Sequence, residues 1–434
     1  MRGKSEICQR KARKRPGTGQ RQNCAPGQWN RSAVPGRKEN DMNQNEWKER
    51  EAVYTCWLCN FPDMGNKQLH RLTELCGGPE AAYLADKEKW GQVLNPRQVQ
   101  SLARYTAAWK PEAEYRRMKE QGIRLVTMGD EGYPRRLKDI PDAPYGLFVR
   151  GRLQTDDAPA VAVIGARECS EYGRYVAKCL GATLGRRGIT VVSGMARGID
   201  GISQEAALEA GGNSIGVLGS GVDICYPAQN RPIYERLIRT GAAISTYPLG
   251  TPALPRNFPP RNRIVSGLAD AVVVVEARAK SGTLITVDMA LEQGREVYIV
   301  PGRVTDRLSD GCNRLVKQGA GIVLSPESFL EEIWQLWETG KKAAGAGSGG
   351  KAGCKEANAF LERPDTAGLP EELARVAGVL DFDARSPEEI RQRLWDRYPE
   401  KPYPEKQIVA CLMQLCMEDL AIQVSPGRFC CRRG

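Results

Sequence analysis

The chain has a single histidine, His70, among 434 residues. Counting alone therefore nearly excludes Ser-His-Asp and Cys-His catalysis and histidine-rich metal sites. Long apolar runs are missing too. None approaches the roughly 18–20 residues needed to span a bilayer, so no membrane insertion is expected. The basic first residues are followed by no apolar segment, which argues against a secretory leader. Cysteines are numerous but scattered. Cys56-Trp57-Leu58-Cys59 is one C-x-x-C, and no second pair lies at zinc-ligand spacing. A metal site is not expected, and the pattern suits free thiols in a reducing cytoplasm. Excess positive charge is scarce outside one end. Residues 1–41 hold 11 Lys/Arg and 3 Asp/Glu, so they carry +8 of the net +11 and the rest of the chain only +3. Any argument for an acidic partner must come from local clusters, not from net charge.

What is present falls into five segments. Residues 1–41 are rich in Arg, Lys, Gly, Pro and Gln with almost no aliphatics, which predicts a disordered basic extension. It is either a nucleic-acid arm or an extension without a structural role, and Met42 is a candidate native start. Residues 42–120 read as a small helical domain, with Leu69, Leu72 and Leu75 at helical spacing. The turn Phe61 to Gly65 is read as a packing turn, with a helix-hairpin phosphate contact as the other option. In residues 121–335, short β-branched runs alternate with helical stretches. Strands are expected at 161–165, 189–194, 214–219, 242–246, 270–277, 296–302 and 321–324, with edge strands at 123–128 and 145–151. Continuous apolar strands joined by crossovers predict an α/β, doubly wound, mostly parallel sheet. Residues 336–385 include a Gly/Ala/Ser-rich linker. Residues 386–434 begin with a helix start at Ser386-Pro387-Glu388-Glu389 and read as two helices and a hairpin, a winged-helix-like domain.

Ligands of such a sheet bind beyond the carboxyl ends of its strands. After the first core strand comes Gly165-Ala166-Arg167, then a helix capped by Ser170: a tight turn, a helix N-terminus and a cation, hence an expected anion site. G-x-R is not the dinucleotide fingerprint, so NAD is disfavoured. The next loop, Ser193-Gly194-Met195-Ala196-Arg197, lets a ligand approach the backbone and offers another cation. Asp200 is expected to cap a helix or orient backbone rather than to catalyse. Cys179 reads as core. Phe258, in FPPRNR, is either an exposed aromatic that stacks on a base beside Arg261 and Arg263 or a core residue beneath its loop. Lys280-Ser281-Gly282 opens the next helix without P-loop spacing, and no carboxylate nearby would hold magnesium. Together Arg167, Arg197, Arg261, Arg263 and Lys280 line one sheet edge. That edge suits holding a run of phosphates better than cutting one.

At these residues the chain resembles the DprA/Smf family, the DNA-processing proteins of natural transformation. The blocks YPRRL, VAVIGAR, SGMARGID, VLGSGVDICYP, FPPRNRIVSGLAD, VVEARAKSGTLIT, ALEQGREVYIVPG and GCNRLVKQGA stand in family order between Gly122 and Val323. The resemblance implies an extended Rossmann-like sheet flanked by a SAM/helix-hairpin-like domain and a winged helix. It also implies binding of single-stranded DNA without sequence preference, loading of RecA onto that DNA, a homodimer, and no catalysis or cofactor. It carries DNA contact to Gly165, Ala166, Arg167, Phe258, Arg261, Asn262 and Arg263, and more loosely to Lys280, Ser281 and Gly282. Two positions depart from the family pattern. Gln204 stands where a histidine is usual, and Ala166 where serine or threonine is common. Two other functions compete. A nucleotide phosphoribohydrolase of the lysine-decarboxylase-like group needs a glutamate where Thr286 stands. A winged-helix transcription factor needs cations in VACLMQLCME, which has none.

Overall fold

The computed structural model describes residues 44–154, 158–343, 369–380, 385–418 and 420–431. The expected basic extension, residues 1–41, lies outside the described residues.

Among the described residues six helices come first: α1 (Gln44–Cys59), α2 (Asn66–Cys76), α3 (Pro79–Leu84), α4 (Lys87–Gly91), α5 (Pro96–Ala108) and α6 (Pro111–Glu120). Their boundaries follow from local chemistry. Asn95 and Gln98 form a capping box at the start of α5, and Gly77 ends α2 in the left-handed conformation. Phe61 and Met64 are buried, which makes their turn a packing turn. Leu69 and Leu72 face the core, whereas Leu75 is exposed. The helices do not enclose a private core. Trp57, Leu72 and Leu102 join one apolar cluster with Tyr145 and Phe148 from the edge of the sheet and Tyr234 from the helix Arg231–Thr240.

The sheet has nine strands: β1 (Ile123–Thr127), β2 (Gly146–Gly151), β3 (Ala160–Ile164), β4 (Thr190–Ser193), β5 (Ser214–Val217), β6 (Ala242–Ser245), β7 (Ala271–Val274), β8 (Glu296–Ile299) and β9 (Gly321–Ile322). Their spatial order is β1-β2-β6-β5-β4-β3-β7-β8-β9. The ladder is parallel from β6 to β9 and antiparallel at β1–β2 and β2–β6, so the two early strands do form one edge. Helices α8 (Glu171–Arg186), α9 (Ile199–Glu209), α10 (Arg231–Thr240), α11 (Phe258–Gly267), α12 (Gly282–Glu292) and α13 (Asp310–Lys317) connect the parallel strands, after the short α7 (Arg135–Lys138). The apolar strands are buried on both faces. Along β3, Ala162 and Ile164 enter one core while Val161 and Val163 enter the other.

Three local readings need correction. FPPRNR is not a loop. Pro259 and Pro260 occupy the first positions of α11, where a missing N–H costs nothing. The core strands end earlier than expected, because their last apolar residues leave the ladder to shape the carboxyl-end loops. Cys179 is half-buried rather than core.

Helix α14 (Pro326–Ala343) continues past residue 335, and α15 (Glu371–Val379) forms within the segment expected to be connecting chain. Leu373 and Val376 of α15 pack with Ile390 of α16 (Pro387–Arg397), Leu412 of α17 (Glu405–Met417) and Phe429 of the hairpin β10 (Ala421–Ser425) and β11 (Arg428–Cys431). The carboxyl-terminal unit thus has three helices where the sequence suggested two. Ser386 starts α16 as expected, and with Glu389 it forms a capping box.

Candidate nucleic-acid interface

Strand order reverses direction at β3: β4, β5 and β6 extend to one side, and β7, β8 and β9 to the other. At such a switch point the two outgoing loops part and leave a crevice beyond the strand ends. The loop after β3 carries Gly165, Ala166 and Arg167; the loop after β7 carries Lys280, Ser281 and Gly282. Arg167 and Lys280 are both exposed. The backbone beneath them is tied together. Thr283 Oγ1 donates to the Gly165 carbonyl at 3.2 Å, and the Ile199 amide donates to the Ala166 carbonyl at 3.2 Å. Ser281 caps α12, accepting from the Thr283 amide at 3.2 Å. Arg197 is exposed on the loop after β4.

Phe258 is neither a free loop aromatic nor a core residue. It is half-buried at the start of α11 and lies over Gly219, where an added Cβ would stand 2.9 Å from its ring. The guanidinium carbons of Arg167 and Arg261 lie 5.8 Å and 5.5 Å from its ring centre. Tyr226 completes the group. Its ring centre is 5.8 Å from that of Phe258 and the residue is 49% exposed. The sequence reading passed over Tyr226. Its signal was an aromatic beside Pro227 in a carboxyl-end loop.

Several expected contacts point elsewhere. Arg261 is only 5% exposed, and its guanidinium donates to the backbone carbonyls of Gly194 and Val217. Asn262 turns back to accept from Arg261 Nε at 3.2 Å. Arg263 pairs with Asp142 at 2.8 Å and donates to the Pro141 carbonyl at 3.3 Å. Ser193 is fully buried and donates to the Val163 carbonyl at 2.6 Å. Gly194 is buried because the Arg261 guanidinium occupies the space a side chain would need, with its nearest atom 2.7 Å from an added Cβ. Ser193, Gly194 and Arg261 are buried, and the half-buried Asn262 and Arg263 are engaged within the protein. For Arg261 and Gly194 the reason is the docking of α11 across the ends of β4 and β5, which turns the guanidinium inward.

The α8 N-terminus is likewise not an open anion site. Ser170 caps it as expected, but the Glu276 carboxylate already accepts from the Ser170 amide at 3.0 Å and from the Ser170 hydroxyl. The protein's own carboxylate fills the place a phosphate would take. Burial pushes the Glu276 carboxyl up, opposed by the two Ser170 hydrogen bonds. Asp200 orients backbone, accepting from the Gly194 amide at 3.1 Å; burial raises its carboxyl while the Arg261 charge pulls it down. Burial lowers the Arg261 guanidinium to about 10, which leaves it charged at neutral pH.

Gln204 is fully buried. It accepts from the Met195 amide at 3.1 Å and donates to Ser214 Oγ and the Ile215 carbonyl, each at 3.2 Å. It is a crosslink between α9, β5 and the loop after β4. Thr286, where a phosphoribohydrolase would need its acid, is buried in α12. Cys56 and Cys59 are buried, and burial drives the Cys56 thiol up to about 12 and the Cys59 thiol up as well. Among the described residues no group of three or more His, Cys, Asp or Glu is placed to hold a metal, and no helix is long and apolar enough to cross a membrane.

Residues 124–334 match the model of the DNA recombination-mediator protein A family. DNA processing protein DprA of Streptococcus pneumoniae is 41% identical over 205 residues, which cover 47% of this chain and 72% of that protein. The chain belongs to this family. Protein Smf of Escherichia coli is 44% identical over 210 residues, 48% of this chain. That match spans little more than half, 56%, of the Escherichia coli protein. The X-ray structure of the Streptococcus pneumoniae protein superposes with a TM-score of 0.58 at 32% identity, covering 64% of this chain and 97% of that one. The α/β core with its mostly parallel sheet is thus the fold of its relatives.

Proposed function

We propose that the chain is a recombination mediator that binds single-stranded DNA without sequence preference across the crevice between β3 and β7, and that it promotes loading of RecA onto that strand. The observation that carries this reading is the pairing of exposed Arg167 and Lys280 on the two switch-point loops around a ring, Phe258, held half-open beside Tyr226. Cations meet phosphates and the two rings meet bases, a combination that tolerates any sequence. The two buried carboxylates beside these loops, Glu276 and Asp200, are both engaged with backbone amides. The reading is therefore of a binding protein and not an enzyme. Membership in a family whose relatives are named DNA processing proteins supports it.

We extend the proposal to the flanking segments. Residues 42–120 act as a SAM/helix-hairpin-like accessory unit, residues 121–335 as the DNA-binding body, and the carboxyl-terminal helices and hairpin as a winged-helix-like module. The protein works in the cytoplasm as a homodimer.

Fluorescence anisotropy with labelled oligonucleotides over a range of salt tests the proposal. Binding should favour the single strand, and the log–log salt slope should fall by about 0.7 for each phosphate contact removed. Arg167→Ala and Lys280→Ala should each show that fall. Equal, weak binding to single and double strands, with slopes unmoved by either substitution, would refute it.

A further inference from the structure

Arg261 carries the charge that the sequence would place on DNA, yet its guanidinium is spent inside the protein. It donates to Gly194 at the end of β4 and to Val217 at the end of β5. The Gly194 amide is in turn fixed by Asp200 of α9. One turn earlier on the same helix, Phe258 rests on Gly219, just past β5. Asn257, immediately before α11, donates to the Gly219 carbonyl at 3.1 Å. Helix α11 is therefore pinned to the strand ends at two levels, and the ring that faces the crevice sits between the pins. The guanidinium also underlies the ring, with 5.5 Å between carbon and centroid.

We propose that Arg261 is a positioning residue: it staples α11 to the ends of β4 and β5, holds the Phe258 ring at the angle needed to stack on a base, and makes no phosphate contact itself. This rests on the reading of the crevice as a single-strand site. It assigns the arginine of FPPRNR a role opposite to the one its charge suggests. Arg167, on the far loop, then supplies the cation that a strand stacked on Phe258 would meet.

The test is a double-mutant cycle on the full chain, read by anisotropy with a labelled oligonucleotide. Phe258→Ala should weaken binding roughly ten-fold, within the range for loss of one stacked base. Arg261→Met should weaken it by a similar factor while leaving the salt slope at the wild-type value. In the Phe258→Ala background, Arg261→Met should add less than about two-fold, because the arginine acts through the ring. A slope that falls by about 0.7, as for a lost phosphate, would overturn the proposal. So would full multiplicative loss in the double variant. If Arg261→Met does not fold, Arg261→Lys, which keeps one donor, replaces it with the same criteria.

A readout without DNA separates this inference from the function on which it rests. In protein carrying 4-fluorophenylalanine, the Phe258 resonance is assigned by its loss in Phe258→Leu. In Arg261→Met that resonance should shift and broaden while the other phenylalanine signals stay in place. An unmoved Phe258 signal would sink the staple even if DNA binding fell. A moved signal in a protein that binds no single strand would sink the functional reading and leave the staple standing.

Discussion

Gln204→Leu tests the internal geometry of the site directly. Leucine is close to glutamine in volume, so the change removes hydrogen bonds without opening a cavity. Gln204 is fully buried and makes three such bonds. Ser214 keeps a partner, since its hydroxyl donates to the Val191 carbonyl at 2.8 Å. The Met195 amide is left with none that replaces the lost oxygen. The orphaned buried donor costs about 1–3 kcal/mol and each of the other two lost bonds about 1, so the total is roughly 3–5 kcal/mol. For a domain of about 200 residues each kcal/mol moves the melting temperature by about 2–4 °C, which gives a fall of roughly 6–20 °C. Circular-dichroism melts at fixed pH measure it.

Gln204→His sharpens the test. A neutral imidazole can accept from Met195 and donate toward Ser214, so at pH 8 most of the stability should return. Protonation removes the acceptor and places a donor against the Met195 amide. The folded-state histidine pKa is then depressed below its ordinary value of about 6.5, and its stabilisation is present above that value and lost as pH falls. The melting temperature of Gln204→His should therefore drop relative to wild type between pH 8 and 5.5. A leucine variant within about 2 °C of wild type, or a histidine variant whose deficit ignores pH, would refute the crosslink.

Other outcomes follow from single observations. Burial, and then the charge of Glu80, push the Glu51 carboxyl up to about 7. The folded state holds that proton more tightly, so its stabilisation is full below about pH 4.5 and lost as pH rises through 7, on the order of 2 kcal/mol after screening; Glu51→Gln should flatten that part of the pH–stability curve. Gly181→Ala would set a Cβ 2.2 Å from the Ser203 carbonyl oxygen, where α8 crosses α9, and backbone cannot yield as a side chain does. It should destabilise by about 1–3 kcal/mol or more, seen as a lower midpoint in urea. Arg136→Met would take from the largely buried Asp270 its two 2.8 Å hydrogen bonds to that guanidinium and leave it the Ala160 amide, also at 2.8 Å. The expected loss is about 3–5 kcal/mol by the same measurement.

The sequence by itself determined the sheet and which loops gather at its carboxyl edge. Valine- and isoleucine-rich runs separated by helical patterns can bury both faces only as a parallel, doubly wound sheet, and loops bearing glycine and arginine must then gather at its carboxyl edge. Arg167, Lys280 and the capping role of Ser170 were legible in that way, because each depends on a few neighbours in the chain. The direction in which a side chain points was not. Arg261 and Arg263 sit two residues apart, yet one reaches Gly194 and Val217 and the other Asp142. Those partners lie dozens of residues away or more, and only the docking of α11 brings them within reach. Glu276 closes the α8 N-terminus because β7 lies beside β3, a pairing of strands more than a hundred residues apart. Tyr226 meets Phe258 for the same kind of reason. Short-range pattern fixes which residues form each element. Which charges remain at the surface is decided when the elements pack: Arg261 is buried where the docked helix offers its guanidinium two backbone carbonyls.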